Sequence, residues 1–174
     1  MQDSDSTDRV LLDSWLVMTT LVCGNPGVRV GSFVFCNSYR YPALHAKMGT
    51  TLDVLSDGRF EFGIGAGWKQ LEYEAYVIPF PDSLMCVSQL EEALQIIRGI
   101  WTEDKFTFAG SHYAMKDLVT SPNLCRDRIR LSGLAPCTGG NDYLRCQHAS
   151  TTASISHGHS LLMTLSQSLH RLTR

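Results

Sequence analysis

The chain has no pair of cysteines at CxxC spacing, no block of basic residues and no apolar run approaching the ~20 residues of a membrane span. Each absence removes a class of function. Six cysteines (Cys23, Cys36, Cys86, Cys125, Cys137, Cys146) scattered without such pairs are expected to be reduced thiols of a cytoplasmic protein, not a disulfide framework. A formal net charge of −2 without a basic patch argues against nucleic acid or an anionic membrane as a partner. The opening residues, MQDSDSTDRV, are polar and acidic, unlike a secretory signal. Asp3, Asp5 and Asp8 are followed by neither the glycine nor the closing glutamate of a calcium loop, so they are expected to be solvated charges.

What is present is enough chain, 174 residues, for one domain with a core. Its most informative stretch is Arg59 to Trp68, RFEFGIGAGW. Phe60, Phe62 and Ile64 alternate with Glu61 and Gly63, the period of a strand with two differently packed faces. Gly65, Ala66 and Gly67 then strip side chains from the strand's C-terminal end, where a backbone can approach a flat ligand closely. A dinucleotide fingerprint fails on spacing, because a GxGxxG starting at Gly63 needs glycine where Trp68 stands.

Around this strand the chain reads as alternating helices and strands. Leu11, Trp15, Met18 and Val22 mark one face of a helix from about Val10 to Val22, ended by Cys23-Gly24-Asn25-Pro26-Gly27. Val28 to Phe35, VRVGSFVF, reads as a buried strand of a parallel sheet. Pro42 opens a second helix whose apolar stripe is Leu44, Met48, Leu52 and Leu55, and Ser56-Asp57-Gly58 turns the chain into the strand at Arg59. After Trp68 come a short helical segment and a loop stiffened by Pro79 and Pro81. A long helix follows on Leu84, Val87, Leu90, Leu94, Ile97 and Trp101, closing near Gly99 to Thr102. Phe106 to Tyr113 is expected to be a hairpin turning at Ala109-Gly110, with His112 on the surface beside it. Helix, strand, helix, strand with short joins is the order of βα units around a parallel sheet.

The segments IGAGWKQLEYEAYVIPFPD, LEEALQIIRGIW and FTFAGSHYAMKDLVTSP resemble the luciferase-like flavin and deazaflavin oxidoreductases, in particular the coenzyme F420-dependent branch. GSFVFCNSYRYPALHAKMGTTLDVLSDGR resembles the third strand and following helix of the same family. The resemblance implies an α/β fold, a fragment of a (β/α)8 TIM barrel, with the cofactor at the C-terminal mouth of the strands. Val28–Phe35 would be the third strand and Arg59–Ile64 the fourth. Family members commonly carry a non-prolyl cis peptide at the end of the third strand, which here falls near Ser32, Phe33 and Val34. By the same resemblance Asn37 would sit at the strand's polar mouth, and Gly65, Ala66, Gly67 and Trp68 beside the cofactor. Asn37 reads equally as a loop amide serving local backbone, and Trp68 as a packing residue. The implied cofactor is F420, with FMN as the alternative. The implied activity is hydride transfer to or from a small organic substrate, with FMN-dependent monooxygenation as the alternative.

The chain also departs from the family pattern. A first strand, a helix and a second strand ending in an Asp-His pair are expected before the matched region, so no residue here inherits the histidine's acid/base role. After Pro122 the sequence leaves the family, and residues 1–122 are expected to form a partial barrel followed by an irregular 123–174 tail. Permitted codons for Pro122–Ala135, read in a shifted frame, give EPVQRPHPPIWIG, the family's continuation, so the tail is expected to be out of frame. Cys137, Cys146, His148, His157 and His159 have no recognised ligand spacing, and no metal site is expected there. A partial barrel is expected to bind F420 or FMN weakly or not at all and to be aggregation-prone. As a second possibility it would be a non-catalytic fragment that pairs with another chain, including a copy of itself, through its open sheet.

Overall fold

The computed structural model describes residues 12–121, 131–136 and 143–144. Helix α1 (Ser14–Gly24) starts where Asp13 caps it, the carboxylate accepting from the Trp15 and Leu16 amides at 3.0 and 3.2 Å. Trp15, Met18 and Val22 turn inward as the spacing predicts, while Leu11 lies outside the described residues. The far end is tied down by Arg59, whose guanidinium donates to the carbonyls of Val22, Asn25 and Val28.

The strand expected at Val28–Phe35 is interrupted. It forms β1 (Val30–Gly31) and β2 (Phe35–Cys36), separated by Ser32, Phe33 and Val34, and Phe33 is 78% exposed. Continuous hydropathy hid the break, because an outward-bending residue can be apolar too. After a single 3₁₀ turn (Asn37–Tyr39), Pro42 opens α2 (Pro42–Leu55) at its first turn, as expected. Of the expected stripe on α2, Leu52 is buried and Met48 packs partly buried against the core, whereas Leu44 and Leu55 are exposed; His45, Ala46, Gly49, Thr50 and Asp53 make up the rest of the inward face. Small and locally bonded polar residues take that face because Trp101 presses on it. Its indole donates to the Ala46 carbonyl at 3.0 Å, and Thr50 bonds back to the Lys47 carbonyl at 2.8 Å.

Ser56, Asp57 and Gly58 turn the chain into β3 (Phe60–Gly65), whose Phe60, Phe62 and Ile64 are buried. The short helix α3 (Gln70–Ala75) and the long α4 (Ser83–Thr102) follow, α4 capped by the Asp82 carboxylate on the Met85 amide. The expected hairpin is longer than its sequence suggested. Strands β4 (Phe106–Ala109) and β5 (Ala114–Leu118) flank a turn closed by the Gly110 amide on the Tyr113 carbonyl at 2.9 Å. A short strand β6 (Leu131–Pro136) and a two-residue β7 (Tyr143–Leu144) complete the described elements, both within the segment expected to be an irregular tail.

The main sheet is parallel around β3. Both β1 and β2 pair with it, Val30 opposite Phe60 and Phe35 opposite Ile64, while β6 pairs along its other edge from Phe62–Leu131 to Gly65–Leu134. β7 returns antiparallel to β6, and β4–β5 is a separate two-stranded sheet. Among the described residues β1, β2, β3 and β6 are the parallel strands of an open sheet. Among the described residues no helix is long and apolar enough to cross a membrane. The core lies between β3 and the helices: Trp15 stacks on Phe35 with ring centroids 4.1 Å apart, and Leu90, Ile96, Ile97 and Ile100 of α4 close over Phe60, Phe62 and Ile64. Fully burying side chains of this size stabilises by ~1.5–3 kcal/mol each.

Candidate functional site

Parallel pairing brings the predicted site residues to one end of the sheet. Cys36 sits opposite Gly65, so Asn37 and the Ala66–Trp68 turn leave the sheet side by side at the C-terminal ends of β2 and β3. The Phe33–Val34 peptide is cis, within the three-residue window set by the family resemblance. Of the eight candidate residues, Phe33 and Trp68 are exposed, Val34 and Gly67 partly so, and Ser32, Asn37, Gly65 and Ala66 are buried.

Two glycines in this stretch have structural explanations different from ligand access. A Cβ at Gly63 would lie 2.4 Å from the Ser32 carbonyl oxygen, so the bulged segment and β3 approach too closely for any side chain. Gly67 has φ +93°, and a Cβ there would lie 1.8 Å from the Tyr73 hydroxyl. The space that Gly67 leaves is thus filled by the protein's own tyrosine.

A polar shell lies beneath the turn, and sequence reasoning missed it. The Tyr73 hydroxyl is 3.1 Å from Cys36 Sγ and donates to the Ala66 carbonyl at 3.4 Å, joining the ends of β2 and β3. Tyr39 donates to the Glu72 carboxylate at 2.7 Å, and Lys69 pairs with the same carboxylate at 3.1 Å. The side-chain amide of Asn37 donates to the Tyr113 hydroxyl at 3.2 Å, while its Oδ1 is buried without a hydrogen-bond partner. A signal existed in the sequence: five of the six tyrosines, Tyr39, Tyr41, Tyr73, Tyr76 and Tyr113, fall in the segments that follow strands or the long helix. Edge-on ring contacts link Tyr39 to Tyr73 and Tyr76, and Tyr41 to Tyr113.

Burial sets the protonation of this shell. Desolvation raises the Cys36 thiol, and it raises Tyr39 and Tyr73 as well, helped by Glu72 at Tyr39 and by Cys36 at Tyr73. All three therefore stay protonated at neutral pH. His45, directly below on α2, is fully buried among Trp15, Phe35 and Phe62. Burial first and the Arg40 charge second lower it to about 4, against the backbone of Cys36 and Asn37, so it is a neutral core residue. His112 is half-buried, its Nε2 2.9 Å from Ser88 Oγ, in a structural contact beside the hairpin turn. Asp3, Asp5, Asp8, Cys137, Cys146, His148, His157 and His159 lie outside the described residues.

Phe33 and Trp68 present exposed aromatic surface at this end of the sheet, suited to the face of a flat apolar ring, while the Asn37 side-chain oxygen is sealed beneath the surface.

Comparison with known proteins points the same way. The sequence profile described as luciferase-like monooxygenase matches residues 1–132. An F420-dependent glucose-6-phosphate dehydrogenase of Kineococcus radiotolerans is 35% identical over 91 residues, covering 52% of this chain and 27% of that protein. An FMNH(2)-dependent dimethylsulfone monooxygenase of Pseudomonas putida is 33% identical over 81 residues, covering 47% of this chain and 22% of that protein. Thus the chain spans about a quarter of the length of these curated relatives. A solved F420-dependent secondary alcohol dehydrogenase, in complex with an F420-acetone adduct, superposes with a TM-score of 0.67 at 21% identity over 74% of this chain and 39% of that one. At that identity the likeness is one of fold.

Proposed function

The chain belongs to the luciferase-like monooxygenase family, and from that premise we propose that it carries part of the cofactor site of an oxidoreductase that uses coenzyme F420. The observation that carries this reading is the convergence of Ser32–Val34, Asn37 and Gly65–Trp68 at one end of two paired parallel strands, where barrel chemistry is done. Bound there, the deazaflavin supplies hydride transfer to or from a small organic substrate. The protein's share is orientation and exclusion of water. Phe33 and Val34 would back the ring, Asn37 would lie at the strand's polar mouth, and the Gly65–Trp68 turn would border the ring. We take the matched strands as the third and fourth of a (β/α)8 barrel.

F420 is preferred because the dehydrogenase relative is F420-dependent by name. The dimethylsulfone monooxygenase relative supports the second reading, FMN-dependent oxygenation. Titrating the full chain with each cofactor and following cofactor fluorescence and absorbance separates them. The expected result is weak, saturable binding of F420 with a perturbed deazaflavin band. Saturable binding of FMN with no response to F420 would move the assignment to the second reading, and no response to either would end both.

A further inference from the structure

The short helix α3 is lightly anchored. It has six residues, and isolated helices of fewer than ~12–15 residues are marginal in water. No side chain caps its first turn, and Tyr73 is its one buried residue, against eight in α4. The Tyr73 hydroxyl meets Cys36 Sγ and the Ala66 carbonyl, and its ring meets Tyr39 and Phe80 edge-on with centroids 5.3 and 4.7 Å away. Glu72 adds the bond from Tyr39, while the Lys69–Glu72 and Gln70–Glu74 contacts stay within the segment.

Both ends of this segment pass through left-handed backbone. Gly67, φ +93°, adopts that conformation freely. Val77, φ +58°, does not: a β-branched residue there is an outlier, and its side chain is 90% exposed, so no packing offsets the strain. It stands where glycine usually ends a helix. Its amide donates to the Glu74 carbonyl at 3.1 Å, and the Ile78 amide donates to the Tyr73 carbonyl at 2.8 Å. Releasing α3 lets Val77 return to ordinary backbone, so the strain favours the open segment. Trp68 and Leu71, 60% and 71% exposed, ride on it. We propose that residues 68–76 form a flap hinged at Gly67 and Val77, which opens in the free protein and which a flat ring lodged against Phe33 and Trp68 holds shut. The ring rests on the cofactor reading above; the hinge does not.

Amide exchange of the full chain without ligand reads the hinge. The amides of Tyr76 and Ile78, bonded within or onto the flap, are expected to exchange at least ~10-fold faster than those of Ile96 and Ile97 in α4. Val77→Gly should slow them about tenfold and leave the Gly110 amide of the hairpin turn unchanged. Flap amides as slow as those of α4, or indifferent to Val77→Gly, overturn the hinge. F420 or FMN at about ten times its Kd should slow flap exchange about tenfold in wild type. The same concentration should have no such effect in Trp68→Ala, which removes an exposed side chain and leaves the core intact. Cofactor binding without that slowing, or equal slowing in Trp68→Ala, overturns the role given to the ring. A chain that takes up neither cofactor, with flap amides that still answer to Val77→Gly, overturns the cofactor reading and the ring, and leaves the hinge standing.

Discussion

His45 should make the stability of this protein fall as pH drops through the range in which histidine ordinarily protonates. Its folded pKa is lowered from 6.5 to about 4, chiefly by burial, with the Arg40 charge adding to it. Between those values the unfolded chain binds a proton that the folded chain refuses, so the histidine favours folding fully above pH ~6.5, progressively less below it, and levels out near pH 4. At 1.36 kcal/mol per unit the complete shift corresponds to ~3 kcal/mol, of which ~2 kcal/mol is lost between pH 7 and pH 5. Urea denaturation at pH 7, 6 and 5 measures this directly. The control is His45→Phe, whose ring suits a site walled by Trp15, Phe35 and Phe62 and has no nitrogen to protonate. The carboxylates and the other histidines are common to both proteins, so the difference in pH slope isolates one residue. Equal slopes in wild type and variant would refute the reasoning, as would a His45 proton resonance titrating near 6.5 in the folded chain.

Further outcomes follow from single contacts. Gly67→Ala combines a left-handed φ with a collision against Tyr73 and should cost ~2–4 kcal/mol in urea denaturation. Placing it in a Tyr73→Phe background, which removes the nearest atom, should reduce that cost. Trp101→Phe removes the bond to the Ala46 carbonyl and should destabilise by ~1–3 kcal/mol in thermal or urea unfolding. Glu92→Gln should speed amide exchange at Ser111, His112 and Tyr113 relative to α4. Burial tends to raise the Glu92 carboxyl, but the three amides and His112 outweigh it and hold it low. The hairpin clamp is therefore present above the ordinary glutamate range and is lost as pH falls through the lowered folded pKa, which amide exchange of those three residues measured against pH would follow.

The elements legible in the sequence were those whose signal is local. The 3–4 spacing from Leu84 to Trp101, the proline at position 42, the Ser56-Asp57-Gly58 turn and the alternation of Phe60, Phe62 and Ile64 each name their own structure, and the fold follows them. Illegible features depend on residues far along the chain. Leucines 44 and 55 looked like the inner face of α2, but Trp101 selects the side carrying Ala46 and Gly49. Ala109-Gly110 looked like a two-residue turn, but a carboxylate about twenty positions upstream captures the next three amides. At the site, it was the family resemblance that pointed to residues 32–34, 37 and 65–68, and the pairing of β2 with β3 brings them to one end of the sheet. The tyrosines could be picked out by their positions after strands or the long helix, but their partners could not, because most of their hydrogen bonds join segments more than thirty residues apart, as between Cys36 and Tyr73.

The interrupted strand carries a consequence for how the mouth is made. From Val30 to Phe35 the chain takes five steps, whereas the partners of those two residues, Phe60 and Ile64, are four steps apart. One residue is therefore surplus to the ladder. A strand shortened by one residue between 32 and 34 would keep both ladder pairings and, by simple alternation, would still turn Val30 and Phe35 to the same inner face. Packing does not call for the extra residue. Its product is the outward bow that carries Phe33 clear of the core and lays the Ser32 carbonyl on Gly63. Grafting this sheet end onto another parallel sheet would thus require moving residues 30–36 and 60–65 together, as a single cassette, because the surplus residue on one strand and the missing side chain on the other are two halves of one fitting.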